Sequence, residues 1–258
     1  MSIQSYLTNL SSTLVLKDNS IVTSINTLQR RLNLHFPSYE VDSHFIFGSN
    51  SRYTMLPRKY DHKSDVDYMV VFSDLIYTPQ TYLNKLRGFV NRYYSSSEIS
   101  QSFPTIKLNL NHITFELVPA TRSIFFGYQI PSPENNYNSW MMTDPHDIKE
   151  KLTSKNTINN SQIKPLIRIL KYWNARAGYP YESFSLEKSI INMNFYYCNN
   201  IKEYLYSAVE QLSSPNFLIT WKTAEVNKLK SNILTIKFLE NTDQNHAENL
   251  IKKIFPII

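Results

Sequence analysis

The sequence predicts an α+β fold, with a mixed sheet and flanking helices in the first half and a helical domain in the second. Short apolar runs that end at turn residues predict strands up to about residue 140. Beyond that point, apolar residues recur every three or four positions, which predicts helices. We place the boundary in the Pro- and Asn-rich loop 131–138, which gives predicted domains of 1–135 and 136–258. The N-terminal helix is expected to cross over and pack on the helical half.

Strands and helices are mixed in the first half. One helix is predicted behind a cap at Ser20, and a second opens at Thr78-Pro79 because proline is favoured at the first helical position. The inward positions of these helices are Ile21, Ile25, Leu28 and Leu32, and then Leu83, Leu86 and Val90. The predicted strands are 44–47, 66–72, 105–110 and 113–118, with a tight turn near Asn111.

Helical spacing dominates the second half. One helix is predicted after Thr143-Asp144-Pro145 and another after a cap at Ser185, while Gly178 is expected to end the helix between them. Apolar stripes mark the helices at Ile163, Ile167 and Leu170, at Ile201, Leu205, Val209 and Leu212, and at Ala247, Leu250, Ile251 and Ile254. The segment after about residue 215 carries no recognised motif.

The composition is that of an ordinary globular protein. Of the 258 residues, 42% are hydrophobic and 19% are charged, and no apolar run approaches the roughly 18 residues that a membrane span needs. The N-terminus lacks the basic start and apolar run of a secretory signal, so a cytoplasmic location without membrane attachment is expected. The single cysteine, Cys198, excludes an internal disulfide framework and a cysteine-based zinc site. The formal net charge of +6 suits a phosphate-rich ligand, although it is also common in proteins that bind none.

Two aspartates begin the second predicted strand. Residues two apart in a strand point to the same face, so Asp65 and Asp67 project together while Val66 points into the core. Two adjacent carboxylates repel each other unless a cation lies between them. Oxygen ligands of this kind suit Mg²⁺, which commonly binds one or two carboxylates together with substrate phosphates.

A third acid, Glu116, lies within the apolar strand 113–118. Phe115 and Leu117 share the opposite face, and a lone glutamate in such a strand is costly to bury unless it is paired or bound to metal. Three acids from two neighbouring strands predict a site for two Mg²⁺ ions, with Mn²⁺ as a substitute. The predicted catalytic and metal-binding residues are therefore Asp65, Asp67 and Glu116.

Gly48 and Ser49 end the first predicted strand and complement the acids. Glycine lets the backbone approach a phosphate closely, and the serine hydroxyl with nearby N–H groups can hold phosphate oxygens. Each feature alone has a simpler explanation, namely a turn, a solvated loop edge or an exposed strand residue. Their combination in this order favours a metal-dependent site for phosphoryl transfer.

These residues resemble the signature of the polymerase-β-like nucleotidyltransferase superfamily: Gly-Ser, then Asp-x-Asp, then a third acid on a later strand. Within it, the chain most resembles the bacterial cyclic-oligonucleotide synthases of the CD-NTase family. That closer resemblance covers roughly residues 40–190 and includes the motifs 115–120, Trp140 with 143–145, 166–174 and 183–187. It implies a nucleotidyltransferase core in 1–135 packed on a helical domain in 136–258 that completes the nucleotide-binding cleft.

The resemblance also implies roles in the helical half. Lys164, Arg168 and Lys171 share one helix face, and Lys171 would contact the donor triphosphate. Ser183 or Ser185 would assist, because the N-terminus of a helix favours anions. Without the resemblance, the same residues would be a solvated basic face and an ordinary helix cap.

Two further features bear on the substrate. The gap from Ser49 to Asp65 is longer than is usual in the family because of the basic segment 57–63, which either contacts an acceptor nucleotide or nucleic acid or forms a flexible loop. Tyr181 and Phe184 are candidates for stacking on a base, against the alternative that both belong to the core.

The implied reaction is the attack of a ribose hydroxyl on the α-phosphate of a Mg²⁺-bound NTP, with release of pyrophosphate. Asp65 and Asp67 would hold both ions and Glu116 would complete the site of one, while either Glu116 or the metal would activate the hydroxyl. ATP or other NTPs are the expected substrates. The resemblance implies a cyclic di- or oligonucleotide product that serves as a signal in bacterial antiphage defence.

Two alternatives stay open at this point. In the first, the acceptor is an RNA end, a tRNA in particular, or a protein, and the segment 57–63 is the one candidate for the basic track that RNA would need. In the second, the protein is a catalytically inactive nucleotide-binding scaffold. The three retained carboxylates argue against the second alternative, because a binding protein has no need of three acids that repel one another.

Overall fold

A computed structural model describes residues 2–74, 76–102, 104–124, 126–132, 139–214 and 219–257. The chain divides into two compact units, each assembled from separate stretches of sequence. The sheet unit comprises residues 17–52 and 63–149, and the helical unit comprises residues 1–16, 53–62 and 150–258. The predicted domain boundary after residue 135 lies outside the described residues.

The sheet unit contains seven strands in the described part of the chain. The strands are β1 (Val41–Ile46), β2 (Asp65–Phe72), β3 (Glu98–Ser102), β4 (Thr105–Asn109), β5 (Thr114–Arg122), β6 (Tyr128–Pro131) and β7 (Trp140–Thr143). The main sheet has the order β1-β2-β5-β4-β3, and β6 and β7 extend it from the end of β5. The β2–β5 pair is parallel and the other pairs are antiparallel, so the sheet is mixed, as predicted.

Ten helices lie in the described ranges. They are α1 (Ile3–Thr13), α2 (Asn19–His35), α3 (Gly48–Ser51), α4 (Pro79–Tyr93), α5 (Pro145–Ile158), α6 (Ile163–Arg176), α7 (Ser183–Asn192), α8 (Ile201–Gln211), α9 (Thr220–Leu239) and α10 (Gln244–Ile254). None of the helices in the described part of the chain has both the length and the hydropathy required to cross a bilayer.

The two central strands of the sheet unit are largely buried, and this burial determines the environment of the acids. Val66, Tyr68, Val70 and Phe72 occupy one face of β2 and are buried. On the other face, an apolar cluster follows the predicted acids along the strands: Met69, Val71, Val118, Ala120, Tyr128 and Ile130, with Phe45 and Phe47 packed against it. The inward residues predicted for α4 are buried. The acids therefore lie at the N-terminal edge of an apolar surface.

The helical unit is organised around α6. Its apolar residues Ile163, Leu166, Ile167, Ile169 and Leu170 are fully buried. Helix α1 contacts α6, α8 and α10, and the hydroxyl of Tyr6 donates a 2.7 Å hydrogen bond to the carbonyl of Phe255. The segment 53–62 also belongs to this unit, with Met55, Leu56 and Tyr60 buried.

Several element boundaries differ from the predicted ones. Asp18, not Ser20, caps α2, because its side chain accepts a hydrogen bond from the N–H of Ser20. Helix α7 begins at Ser183 after the extended residue Glu182, so Ser185 is the third helical residue and not a cap. Residues 140–143 form a strand where helical structure was expected, because they pair with β6.

Candidate active site

The predicted acids lie in neighbouring strands of the sheet unit and on one face. Asp65 and Asp67 are the first and third residues of β2, and the parallel register places Asp67 directly opposite Glu116 of β5. The antiparallel register of β4 then places Lys107 opposite Glu116. Asp67, Glu116 and Lys107 therefore form a row across three adjacent strands, with Asp65 one strand repeat away.

Burial and charge repulsion both raise the pKa of Asp65. Burial is the main cause that raises its pKa from 3.8 to about 7, followed by the negative charges of Asp67 and Glu116 and a hydrogen bond with Glu116. Lys107 acts in the opposite direction: its Nζ lies 2.7 Å from Glu116 Oε1, and its charge lowers the pKa of Asp65. Lys107 thus partly offsets the mutual repulsion of the three carboxylates.

The donor set fits a hard divalent cation. In the described residues, no group of three or more His, Cys, Asp or Glu side chains is positioned to hold a metal ion as it stands. Glu116 forms an ion pair with Lys107 and a hydrogen bond with Asp65. Mg²⁺ prefers oxygen ligands and commonly binds one or two carboxylates together with substrate phosphates. The fit therefore rests on the chemistry of the donors and on the raised pKa of Asp65.

Gly48 is required at this site for two reasons. Its φ is +63°, which favours glycine, and a Cβ added to it would lie 1.7 Å from Asp67 Oδ2. The N–H of Phe47 donates a 3.1 Å hydrogen bond to the carbonyl of Asp67, which holds the turn against β2. Ser49 follows in the short helix α3 and is partly buried. The space that a side chain of residue 48 would fill is occupied by the carboxylate of Asp67.

The residues assigned by resemblance lie in the helical unit. Lys171 is buried in α6, where 5% of it is exposed, so it does not belong to a solvated basic face. Ser183 is the first residue of α7 and is partly buried, whereas Ser185 is exposed. Gly48, Ser49 and the three acids thus share the sheet unit, while Lys171 and the two serines share the helical unit.

A second buried cation on α6 lies near Lys171 in sequence. Arg168 is 8% exposed, and burial lowers its pKa. Its Nη1 donates a 2.9 Å hydrogen bond to the carbonyl of Tyr53, and its Nε has no hydrogen-bond partner among the described residues. The next residue, Thr54, donates a 3.0 Å hydrogen bond to the buried Glu187 of α7. Residues 53 and 54 are therefore attached to two helices.

The basic segment 57–63 is packed rather than free along much of its length. Tyr60 is buried, with its ring centroid 5.4 Å from that of Tyr172. The hydroxyl of Tyr179 donates a 2.7 Å hydrogen bond to the buried carboxylate of Asp61. Of the two alternatives for this segment, these contacts disfavour a flexible loop.

Lys107 is not among the residues that the sequence predicts for the site. The signal was present, since Lys107 lies between the buried residues Ile106 and Leu108 just as Glu116 lies between Phe115 and Leu117. The alternation of buried and partly exposed residues shows on which face of β4 Lys107 lies, but only the strand register shows that Lys107 pairs with Glu116.

Of the two residues predicted to stack on a base, Tyr181 is buried in the core and Phe184 is half-exposed.

Comparison with known proteins gives two matches at the level of sequence. The pattern described as the Second Messenger Oligonucleotide or Dinucleotide Synthetase domain matches residues 1–156. A Bacillus cereus (strain VD146) protein described as a probable cyclic nucleotide synthase is 30% identical over 130 residues. That alignment covers 47% of this chain and 38% of the relative, so the match spans well under half of the relative's length.

Solved structures share the fold at low identity. The Vibrio cholerae cyclic AMP-GMP synthase DncV, in complex with the linear intermediate pppA(3′,5′)pG, superposes with a TM-score of 0.76 at 12% identity, covering 99% of this chain and 96% of that one. The CD-NTase CdnG of Bradyrhizobium diazoefficiens, in complex with GTP, gives a TM-score of 0.68 at 11% identity and covers 96% of each chain. The predicted α+β nucleotidyltransferase fold is confirmed.

Proposed function

The chain belongs to the Second Messenger Oligonucleotide or Dinucleotide Synthetase family, and on this premise we propose that it is a Mg²⁺-dependent nucleotidyltransferase that makes a cyclic di- or oligonucleotide. The observation that carries the proposal is the row of Asp67, Glu116 and Lys107 across three strands, with Asp65 on the same face and Gly48 against Asp67. Family membership supports the product class, and the acids support the chemistry.

The chain's own groups account for positioning and for proton balance. The hydroxyl oxygen of one nucleotide's ribose would form a bond to the α-phosphorus of an NTP, the bond to the pyrophosphate oxygen would break, and Glu116 would accept the hydroxyl proton. Asp65, Asp67 and Glu116 would hold Mg²⁺, which when bound would stabilise charge on the phosphate oxygens. Lys107 holds Glu116 through its ion pair, and Gly48 leaves space for the carboxylate of Asp67.

Several groups of the chain would bind the donor triphosphate. The backbone and hydroxyl of Ser49 would bind phosphate oxygens at the turn that Gly48 makes possible. Lys171 would neutralise triphosphate charge, which is consistent with an ammonium group buried on α6, and Ser183 or Ser185 would donate hydroxyl hydrogen bonds. The substrates would be ATP or other NTPs, and the product would act as a signal in antiphage defence inside the bacterial cytoplasm.

Product analysis tests this function. The purified chain is incubated with each labelled NTP alone and in pairs, with Mg²⁺ or Mn²⁺ and with or without tRNA, and the products are separated. We expect small products that resist phosphatase and that disappear in the Asp67→Asn variant, because that variant loses a central ligand of the row. Label confined to tRNA would replace the cyclic product with RNA-end transfer, and undiminished activity in Asp67→Asn would refute the mechanism.

A further inference from the structure

Tyr53 is an exposed aromatic residue on a strained backbone. Its φ is +62°, in the left-handed region that residues with a Cβ occupy at a cost in free energy. Its side chain is 72% exposed. It follows Ser49 by four positions in the chain, directly after α3 and Arg52. The strained residue therefore comes directly after the segment to which phosphate binding is assigned above.

Two helices of the helical unit hold this backbone in place. The buried guanidinium of Arg168 on α6 donates to the carbonyl of Tyr53, and the buried Glu187 on α7 accepts from the hydroxyl of Thr54. Consecutive residues are thus attached to separate helices through groups that are withdrawn from solvent. These contacts anchor the strained residue and the one after it, whereas tyrosine itself has no local preference for the left-handed conformation.

A tyrosine is not needed at position 53 for folding. Glycine adopts positive φ without steric cost, and asparagine does so far more readily than an aromatic residue. The exposed ring buries little apolar surface in return for the strain. Backbone outliers of this kind are enriched at functional sites, so the strain marks Tyr53 as a candidate whose surroundings decide its role.

The surroundings of the ring favour a planar ligand with negative charge. Lys164 Nζ lies 5.1 Å from the centroid of the Tyr53 ring, and Lys164 precedes Arg168 by one turn of α6. An exposed aromatic ring offers a surface on which a base can stack, and a neighbouring ammonium group attracts phosphate. A nucleotide carries both complementary groups in one molecule.

We propose that Tyr53 is a stacking platform for the base of a nucleotide substrate, with Lys164 attracting the phosphates of the same molecule. The proposal rests on the function proposed above, in which the substrates are NTPs. Since every base has a π face, the platform contributes affinity for all four NTPs and does not select one base. It takes the role that the sequence suggested for Tyr181, whose ring is buried in the core.

Equilibrium binding of each NTP to the full chain, measured by calorimetry, separates the ring from the backbone. Tyr53→Asn keeps a residue suited to positive φ and removes the ring, whereas Tyr53→Phe keeps the ring. Tyr197 provides the matched control, because it has a φ of +61° and is 96% exposed in the loop between α7 and α8. Tyr197→Asn therefore relieves similar strain at a site with no assigned role.

Removing the Tyr53 ring and relieving the backbone strain are expected to have different effects on NTP affinity. Tyr53→Asn should weaken the affinity for every NTP by about 5- to 150-fold, the range of one base–aromatic stack. Tyr53→Phe and Tyr197→Asn should bind like the wild type. Both asparagine variants should unfold at or above the wild-type temperature, by up to about 2–4 °C, because strain is relieved. Lys164→Gln should weaken NTP binding less than Tyr53→Asn does. It should also make the NTP affinity less dependent on the salt concentration.

Wild-type affinities in Tyr53→Asn would overturn the platform, and so would equal losses in Tyr53→Asn and Tyr197→Asn. Product formation with Mg²⁺ is measured on the same samples, so that the platform and the enzymatic function are judged separately. NTP binding that depends on Tyr53 without any nucleotide product refutes the function and leaves the platform. Products formed by Tyr53→Asn with an unchanged KM refute the platform and leave the function. A wild type that binds no NTP refutes both.

Discussion

At the scale of single residues, Gly48 is the point at which the site tolerates least change. The carboxylate of Asp67 occupies the volume in which any other residue would place its Cβ, and the backbone at Gly48 already has positive φ. Two independent requirements, conformational and steric, thus meet in one residue. A rigid turn of this kind fixes Asp67 relative to Ser49 through the backbone bond from Phe47.

We predict that Gly48→Ala reduces nucleotidyl transfer by at least about 100-fold, because misplacing a ligand by an ångström typically has that effect. The same change should lower the free energy of unfolding by about 1–2 kcal/mol through the left-handed backbone. Steady-state kinetics and urea unfolding provide the measurements. Gly88→Ala is the control, since nothing lies within 4 Å of its added Cβ in the middle of α4, and it should stabilise by about 0.5–1 kcal/mol. Equal activity in the two variants would contradict the assigned role of Gly48.

At the scale of elements, the strand register brings together like charges that the chain keeps about 50 residues apart. Asp65 and Asp67 lie at the start of β2, Glu116 lies in β5, and the apolar cluster follows further along both strands. The protein therefore carries three carboxylates close together, with Lys107 paired to Glu116. This arrangement favours cation binding and lowers the stability of the metal-free fold at neutral pH.

The raised pKa of Asp65 predicts the direction in which the stability of the protein changes with pH. The folded chain holds a proton on Asp65 up to about pH 7, whereas the unfolded chain releases it near the ordinary pKa of 3.8. The free energy of unfolding of the wild type should therefore fall as the pH rises from about 4 to 7 in the presence of EDTA. The amide of the Asp65→Asn variant does not titrate and carries no charge at pH 8. The free energy of unfolding of this variant should therefore exceed that of the wild type at pH 8 by about 1–3 kcal/mol.

Urea unfolding at pH 5 and pH 8 in EDTA measures this difference. The control is Glu98→Gln, which alters an exposed acid on β3 of the same sheet. Its free energy of unfolding should change between pH 5 and pH 8 by the same amount as that of the wild type. Added Mg²⁺ should raise the stability of the wild type at pH 8 more than that of Asp65→Asn, because a bound ligand stabilises only the form that binds it. A wild-type stability that rises between pH 5 and pH 8 by the same amount as in Asp65→Asn would contradict the raised pKa.

At the scale of the whole molecule, the two units are not consecutive in the chain. The helical unit includes residues 1–16 and 53–62 as well as the C-terminal half. Segment 53–62 begins two residues after α3 and is attached to α6 and α7 by Arg168 and Glu187. Segment 53–62, which follows the predicted phosphate turn in the chain, is therefore a packed part of the helical unit.

This packing predicts that Tyr60→Ala destabilises the protein by about 3 kcal/mol, as expected for truncation of a buried aromatic side chain. The neighbouring Lys59 is exposed, and Lys59→Ala should change the free energy of unfolding by less than about 1 kcal/mol. Urea unfolding followed by circular dichroism checks both values. A loss in Tyr60→Ala as small as that in Lys59→Ala would show that segment 57–63 is a flexible loop after all.

The sequence by itself determined the faces of the strands and most of the helices, because both follow from periodicities within a few residues. Alternation placed Asp65 and Asp67 on one face and separated Glu116 from Phe115 and Leu117, and the register agrees. Helix α9 was not predicted, although its sequence has the apolar spacing of a helical stripe. The residues of this stripe, all buried, are Val226, Leu229, Ile233 and Ile236. The motif order also indicated the fold, which the family match and the solved structures bear out.

Only the tertiary structure decided which groups meet. The pairing of Lys107 with Glu116 depends on strand register, and the approach of Gly48 to Asp67 depends on the path of a turn. The burial of Lys171 and the attachment of Tyr53 by Arg168 depend on how distant segments pack. Local spacing carries no information on contacts between residues tens or hundreds of positions apart. The acids could therefore be named from the sequence, while their electrostatic environment and the strained Tyr53 became visible only in the folded chain.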